Sequence, residues 1–183
     1  EPGLYWGTRT LMQLVKGPMK RNGAIKIPCA EIRDFPDLSN RIFRICHPEL
    51  FRGTQIREFR GVEYLLDFFE RFVSDQKYNF LQLDLASMTR FARQPAFNGP
   101  ERVYTLEDWK RIADFCRDRF IELIPALPAG SHEVVWLLSY FRHLAMPGWL
   151  YTGDVRKAEH NRIVFDCMDD LLDATGARYF SPK

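Results

Sequence analysis

Three side chains that form strong hydrogen bonds and ion pairs, Arg41, Asp84 and His132, lie beside segments with the pattern of buried strands. A guanidinium, a carboxylate and an imidazole together donate and accept hydrogen bonds, as the binding of a polar ligand requires. In parallel α/β proteins, ligands bind at the carboxyl ends of strands and in the loops that follow them. The three residues are therefore candidates for a ligand-binding site.

Each candidate also has a structural interpretation. Asp84 could be a buried carboxylate paired with an arginine, and Arg41 could be a structural ion-pair partner. His132 could satisfy backbone groups at the start of a helix. For Glu122, which alternates with core residues, a structural ion pair is favoured over the role of a catalytic acid.

The chain is also rich in aromatic residues, with 15 Phe, 7 Tyr and 4 Trp among its 183 residues. This composition suits a large core or a site where rings stack on a ligand. Trp149 and Tyr151 could stack on a sugar, but packing under a loop is the favoured interpretation of both residues.

Strands and helices alternate along the chain and must position these residues. Short apolar or alternating runs predict strands, and apolar residues spaced three and four apart predict helices. Strands are predicted over residues 24–32, 41–46, 79–85 and 121–127, with a further strand beginning near residue 177. Helices are predicted over residues 3–15, 61–77 and 133–144, from Thr105 to Phe120, and between Asp154 and Gly176.

Two of the predicted helices carry end signals in the sequence. Thr105 followed by Asp108 is similar to a capping box, with Asp in place of the preferred Glu. Asp154 is the expected N-cap of the last helix, and Gly176 stands where a C-terminal glycine cap belongs.

The alternation predicts an α/β fold with a parallel sheet and right-handed crossovers. Three or four strands are too few for a closed eight-stranded barrel, which normally takes about 250 residues. The sequence therefore predicts either part of a (β/α)8 TIM barrel or a small open sheet, and the strand that begins near the last residues favours the partial barrel. Residues 1–183 are expected to form one N-terminal portion, in which residues 1–38 are a lead-in helix and strand and residues 39–183 the first βα units.

Composition excludes several classes of function. A net charge of +2 gives no general electrostatic reason to expect nucleic acid as a partner. The apolar stretches are far shorter than the roughly 18–20 residues of a membrane span.

No glycine-rich nucleotide motif is present, so no cofactor is expected. The four cysteines lack CxxC spacing, which predicts buried free thiols and no metal site; they are Cys29, Cys46, Cys116 and Cys167.

Four segments in order resemble the catalytic domain of glycoside hydrolase family 20, the β-N-acetylhexosaminidases. "GLYWGTRTLMQL" is similar to the family's Gly-x-x-x-Gly-x-x-Thr-Leu-x-Gln-Leu helix, and "IRDFP" to its Ile-x-Asp-x-Pro turn before a strand that begins with Arg. "YNFLQLDL" is similar to the Tyr-Asn strand. The segment from "VYTLEDW" to "IPALPAGSH" is similar to the Tyr-Thr helix and the Pro-Glu-x-Asp-x-Pro-Gly-His strand exit.

The resemblance implies a carbohydrate partner and a substrate-binding role for Arg41 and His132. Arg41 matches the arginine that holds sugar hydroxyls beside the cleaved bond, and His132 matches the histidine of the strand exit. Asp84 is a third candidate for substrate binding, although the family usually has His at this position. Three further positions depart from the family pattern: Ser87 and Pro128 each replace Asp, and Ala126 replaces Glu.

The chemistry of the family is substrate-assisted hydrolysis of a terminal N-acetylhexosamine. The substrate's acetamido oxygen attacks the anomeric carbon, a Glu protonates the leaving oxygen, and the preceding Asp orients the acetamide. By resemblance this Asp-Glu pair is expected after Lys183, so no catalytic residue is assigned within the chain and the chain alone is expected to be inactive. The alternatives are a non-catalytic carbohydrate-binding relative and a structural half-barrel that self-associates through its open edges.

Overall fold

The structure, a computed structural model, describes residues 1–16, 20–21, 24–25, 29, 31–46, 61–99, 104–130 and 135–182. The helices are α1 (Pro2–Lys16), α2 (Gly61–Phe69), α3 (Leu106–Asp118), α4 (Val135–Leu138) and α5 (Ala158–Thr175). The strands are β1 (Lys20–Arg21), β2 (Ala24–Ile25), β3 (Ile42–Cys46), β4 (Phe80–Asp84), β5 (Glu122–Leu127), β6 (Ala145–Met146), β7 (Trp149–Gly153) and β8 (Ser181–Pro182).

A four-stranded parallel sheet in the order β3-β4-β5-β8 forms the centre of the molecule. Two antiparallel pairs, β1-β2 and β6-β7, lie outside this sheet. The prediction of an α/β fold with parallel strands and helices is therefore confirmed. The four described strands form an open sheet, so closure into a barrel stays a prediction.

The alternation of residues along β4 divides the sheet into two faces. Leu81 and Leu83 are completely buried and belong to the core, together with Ile45 and Leu123 on the neighbouring strands. Helices α2, α3 and α5 contribute the other half of this core through one apolar side each. The buried side chains therefore fix the strands and helices to one another and leave the second face of the sheet for other contacts.

Helix α3 begins and is anchored as its sequence predicts. The Thr105 hydroxyl accepts a hydrogen bond from the Asp108 N–H at 3.1 Å, and the Asp108 carboxylate accepts one from the Thr105 N–H at 2.9 Å. This completes the predicted capping box. The Trp109 indole is fully buried and donates to the Thr89 hydroxyl at 2.9 Å, which ties the helix to the segment after β4.

Helix α5 ends as predicted but begins later. Gly176 adopts a left-handed conformation with φ of 62°, and its N–H donates to the Leu172 carbonyl, which confirms the glycine cap. The N-cap residue is Lys157, so the expectation for Asp154 was wrong. Asp154 instead accepts hydrogen bonds from the backbone and side chain of Arg156.

Other elements of the structure differ from their predicted bounds or were not predicted. The helix predicted over residues 61–77 changes to a π-helical turn at Glu70–Ser74. The helix predicted over residues 133–144 was too long: α4 ends at Leu138, and a 3-10 turn follows at Arg142–Leu144. The β6-β7 hairpin was not predicted, and most of the strand predicted over residues 24–32 lies outside the described residues.

The cysteines only partly follow the prediction. Cys116 and Cys167 are buried free thiols, whereas Cys29 is exposed. Burial raises the pKa of the Cys116 thiol to about 12, which makes it unreactive as a nucleophile. In the part of the chain that the structure describes, no helix is long and apolar enough to cross a membrane.

Candidate functional site

The strand register places several polar side chains on the sheet face opposite the core, which we call the polar face. Arg44, Gln82 and Ile124 are paired across β3, β4 and β5, and Phe80 pairs with Glu122 one level below them. Paired residues in a sheet point to the same side, so these side chains share one face. The polar face comprises Ile42, Arg44, Phe80, Gln82, Asp84, Glu122, Ile124, Ala126 and Ser181.

Asp84 ends β4 on the polar face, at the carboxyl edge of the sheet. Only 3% of its surface is exposed. Gln82 lies two residues earlier on the same face, as the alternation predicts, and its amide donates to the Ser181 hydroxyl at 2.7 Å. This hydrogen bond crosses β5 and joins β4 to β8. The carboxyl half of the polar face thus combines a buried carboxylate with an amide, a hydroxyl and the exposed Arg44.

Arg41 lies at the other end of the sheet. Its backbone N–H donates to the Asn79 side chain at 2.8 Å, and its guanidinium donates to the carbonyls of Lys77 and Leu38 at 2.7 and 2.8 Å. Arg41 stands opposite Asn79, five residues before Asp84, which corresponds to a separation of about 16 Å along the strand. The structure therefore does not bring Arg41 and Asp84 together, and the role of Arg41 in sugar binding stays a prediction.

A groove of about 800 Å³ surrounds Arg41 at this amino edge, between α1 and residues 32–39. Aromatic and charged side chains line it, including Trp6, Phe35 and Lys77. Lys77 forms an ion pair with Asp34, and this ion pair lowers the pKa of the Asp34 carboxyl. Lys77 and Asp34 thus pair with each other, and the Arg41 guanidinium is held by two backbone carbonyls, as in a structural contact.

The exit of β5 is apolar in the described residues. Ala126 and Leu127 have no exposed surface, and Pro128 is also buried. His132, the third predicted binding residue, lies outside the described residues. Glu122, at the opposite end of β5, forms an ion pair with Arg178, in agreement with the structural role expected for it.

The segment after β4 is held against α5 by a buried carboxylate. Asp170 accepts hydrogen bonds from the N–H groups of Ala92 and Arg93 at 2.7 and 3.0 Å, and it also pairs with the Arg93 guanidinium. The Arg93 guanidinium bonds to Asp173 as well, at 2.6 Å. The Asp170 side chain is only 2% exposed. These contacts fix the chain that leaves the carboxyl end of β4.

The β6-β7 hairpin lies at the same carboxyl edge. A side-chain atom at Gly130, three residues after β5, would contact Val155, which follows the hairpin directly. Helix α4 contacts both β7 and the turn at Ala86–Met88 that follows β4. The hairpin is therefore a neighbour of the strand ends that carry the candidate residues.

The Asp154–Arg156 pair at the end of the hairpin predicts a measurable titration. Two hydrogen bonds from the Arg156 guanidinium, at 2.8 and 3.0 Å, lower the pKa of the Asp154 carboxyl to about 2. Arg156→Ala is expected to raise this pKa toward the ordinary value of about 3.9. Carboxyl carbon NMR titration measures the change, and Arg162→Ala on the exposed surface of α5 is the control.

The lowered pKa of Asp154 determines how the stability of the folded protein changes with pH. The folded protein favours the Asp154 carboxylate, so this contribution is fully present above the carboxyl's unfolded-state pKa of about 4. It is lost as the pH falls from about 4 to about 2. An Asp154 pKa that stays near 2 in Arg156→Ala would contradict the assignment of the shift to this ion pair.

The sheet and its carboxyl edge define a class of protein. The sheet has parallel strands, with helices packed against one face and polar side chains at the strand ends on the other face. This arrangement is typical of α/β domains that bind ligands at the carboxyl edge of the sheet. Gln82 is the centre of this group, because it lies between Arg44 and Asp84 and bonds to Ser181.

The solved structures to which the chain is similar include β-N-acetylhexosaminidases. The chain is similar to the enzyme of Bacteroides fragilis (21% identity, TM-score 0.71) and to that of Streptomyces plicatus in complex with Thio-NAglucal (21%, 0.72). It is also similar to the chitobiase of Flavobacterium johnsoniae (18%, 0.74). Each match covers 97% of this chain but only 37%, 40% and 28% of the respective structure.

These likenesses confirm, at the level of the fold, the resemblance to glycoside hydrolase family 20. The chain is also similar to the GH20 β-N-acetylhexosaminidase of Streptomyces coelicolor, with 21% identity and a TM-score of 0.71. No protein-family model matches the chain, and no curated protein matches it. The chain therefore has the fold of the corresponding part of these hexosaminidases and spans less than half of their length.

Two site features were missed from the sequence. Arg44 was not among the predicted site residues, although the parity of β3 places it beside Gln82. That parity was a usable signal. Ser181 had no usable signal, because its partner Gln82 is 99 residues away and the short strand β8 begins later than predicted.

Proposed function

We propose that residues 1–183 form the N-terminal portion of a (β/α)8 catalytic domain that hydrolyses terminal N-acetylhexosamine residues. The observation that carries this proposal is the similarity of 97% of the chain to β-N-acetylhexosaminidase structures. The polar face supports it, because Arg44, Gln82 and Asp84 offer both donors and acceptors to sugar hydroxyls. The Streptomyces plicatus enzyme has also been solved with the product GlcNAc.

Within this proposal the three predicted binding residues have different support. Asp84 lies at the carboxyl edge, where a sugar would bind, and its burial would place the carboxylate in a setting where hydrogen bonds are strong. Arg41 and His132 rest on the family resemblance alone. Arg44 and Gln82 join Asp84 as proposed sugar contacts on the basis of the strand register.

The catalytic step is proposed to depend on residues beyond Lys183. The family mechanism needs a carboxylic acid near the glycosidic oxygen, and no residue of this chain matches that motif position. We therefore expect the chain to bind the sugar without cleaving it. An aryl N-acetyl-β-glucosaminide assay of the chain and of a version extended past Lys183 tests this division, with activity expected only in the extended version.

Binding is tested separately from cleavage. NMR titration of the chain with N-acetylglucosamine is expected to shift the Gln82 side-chain amide, and Asp84→Asn should weaken binding by roughly tenfold or more. Asp67→Asn is the matched control, since this carboxylate is half exposed on α2. Cleavage by the short chain would contradict the assignment of the acid to the later segment. Equal affinity in Asp84→Asn would contradict the proposed site.

A non-catalytic carbohydrate-binding relative is the second candidate. The buried, apolar exit of β5 favours it, because Ala126 and Pro128 stand where the family has carboxylates. An extended version that binds N-acetylglucosamine but does not hydrolyse the aryl glycoside would support this candidate. Among the described strands β3 has one neighbour only, so self-association as a half-barrel is the remaining alternative, and sedimentation of the same sample measures it.

A further inference from the structure

Two large aromatic side chains project from β7 into solvent. Trp149 is 66% exposed and Tyr151 is 61% exposed, which contradicts the expectation that they pack under a loop. We propose that Trp149 and Tyr151 form a stacking surface for further sugar rings of an oligosaccharide whose terminal residue occupies the polar face. The inference rests on the proposed function, because it extends the same carbohydrate site.

The spacing of the two rings suits this role. Trp149 and Tyr151 are two residues apart on β7, so their backbone positions lie within about 7 Å of each other, and both rings are exposed. Tryptophan and tyrosine each combine a flat apolar ring with a polar edge. A pyranose has the same character, with an apolar C–H face and hydroxyl groups around its rim. The pair can therefore contact adjacent rings of one glycan chain through their apolar faces.

The hairpin that carries the pair is fixed to the rest of the molecule. The Asp154 N–H donates to the Leu144 carbonyl at 2.8 Å, and the Lys157 ammonium donates to the His143 carbonyl. Gly153 packs directly against the buried His160. These contacts hold the end of β7 in place, so Trp149 and Tyr151 are presented by an anchored strand.

The hairpin also lies at the correct edge of the sheet. Helix α4 contacts both β7 and the turn at Ala86–Met88, and that turn begins two residues after Asp84. Val155 lies beside Gly130, just after β5. A glycan with its terminal sugar near Asp84 can thus extend toward the hairpin without crossing the core.

The size of the surface favours a sugar over a protein partner. Aromatic side chains present about 150–250 Å² each, so two that are two-thirds exposed offer roughly 200–300 Å². A stable protein interface needs about 800 Å² from each partner. The segments that flank the hairpin in the chain carry exposed polar side chains, namely Arg142, His143, Arg156 and Glu159. These side chains limit the apolar area and can bond to hydroxyl groups.

The test compares N-acetylglucosamine with its β-1,4-linked tetramer as ligands of the 183-residue chain. Affinities come from calorimetry for the tetramer and from NMR titration for the monosaccharide. Trp149→Ala and Tyr151→Ala are each expected to weaken tetramer binding by about tenfold and to leave monosaccharide binding unchanged. Phe165→Ala, which removes a 58% exposed ring from α5, is the matched control.

The outcomes separate this inference from the proposed function. If both sugars bind and neither hairpin variant weakens tetramer binding, the stacking surface is wrong while the sugar site stands. If the tetramer alone binds and the hairpin variants abolish it, the stacking surface stands and the monosaccharide site at Asp84 is wrong. If neither sugar binds, both are wrong. If Trp149→Ala changes only self-association in sedimentation, the surface is a protein contact and the inference fails.

Discussion

Asp170→Ala is expected to lower the free energy of unfolding by about 3 kcal/mol. The carboxylate is 2% exposed and accepts hydrogen bonds from the N–H groups of Ala92 and Arg93. Its removal takes the acceptor from two backbone N–H groups, and a hydrogen bond to a charged group contributes about 1.5–3 kcal/mol. The lost pairing with the Arg93 guanidinium adds less, because this side chain is 42% exposed.

Urea unfolding measures this effect, and two variants provide its comparison. Asp173→Ala removes an exposed partner of the same arginine, at 69% exposure, and should cost less than about 1 kcal/mol. Asp170→Asn can keep an uncharged oxygen at the position of Oδ2, which accepts both N–H groups, so its loss should lie between those of the two alanine variants. Similar losses in Asp170→Ala and Asp173→Ala would contradict the special role of the buried carboxylate.

The hydrogen bonds to Asp170 hold a segment that follows the candidate site in the chain. Residues 92–93 belong to the chain that leaves the carboxyl end of β4, so Asp170 fixes the surroundings of Asp84 from a helix far along the sequence. Gln94 adds a second link through Asp166, at 2.5 Å. Asp166, Asp170 and Asp173, at successive turns of α5, therefore anchor one loop. The spacing of these acidic residues in the sequence does not indicate which residues they bind.

The elements best predicted from the sequence are those decided by local signals. Alternation in β4 buries Leu81 and Leu83, and the Thr105–Asp108 capping box marks the start of α3. Gly176 marks the end of α5, because only the left-handed conformation observed there closes the helix in this way. Each of these signals spans a few residues, so the sequence alone contains the necessary information.

Elements decided by tertiary packing were predicted less well. In α4, the consecutive residues Trp136, Leu137 and Leu138 are all buried, so the segment packs on several sides and not along one helical face. The Ser139 hydroxyl then bonds to the Trp136 carbonyl where the helix ends. Pro147–Gly148 was a usable turn signal for the β6-β7 hairpin, since Gly148 has φ of 81°.

The candidate site shows the same division between local and distant information. The common face of Gln82 and Asp84 follows from strand parity, because the two residues are two positions apart within one strand. The separation of Arg41 from Asp84 was also available from the sequence, because Arg41 begins its predicted strand and Asp84 lies near the end of its own, and parallel strands put these ends at opposite edges of the sheet. The hydrogen bond from Gln82 to Ser181 was not available, because it joins residues 99 positions apart in the chain.

Gly153→Ala is expected to destabilise the protein by about 2 kcal/mol through a clash with the His160 imidazole. Gly153 is buried, and a side-chain carbon there would overlap the Nε2 atom of His160. His160 is 1% exposed, so the ring has little room to move away. The hairpin must shift instead, which would also displace the stacking surface proposed on β7.

A double-mutant cycle isolates this clash. His160→Ala removes the ring and leaves a cavity, but Gly153→Ala should then cost less than about 0.5 kcal/mol, because its new methyl group has space. Gly7→Ala is the matched control: no atom lies within 4 Å of the added methyl group, and alanine within α1 should stabilise the protein by about 0.5–1 kcal/mol. Urea unfolding of all variants gives the coupling energy. Equal costs of Gly153→Ala in both backgrounds would contradict the assignment of this effect to the imidazole.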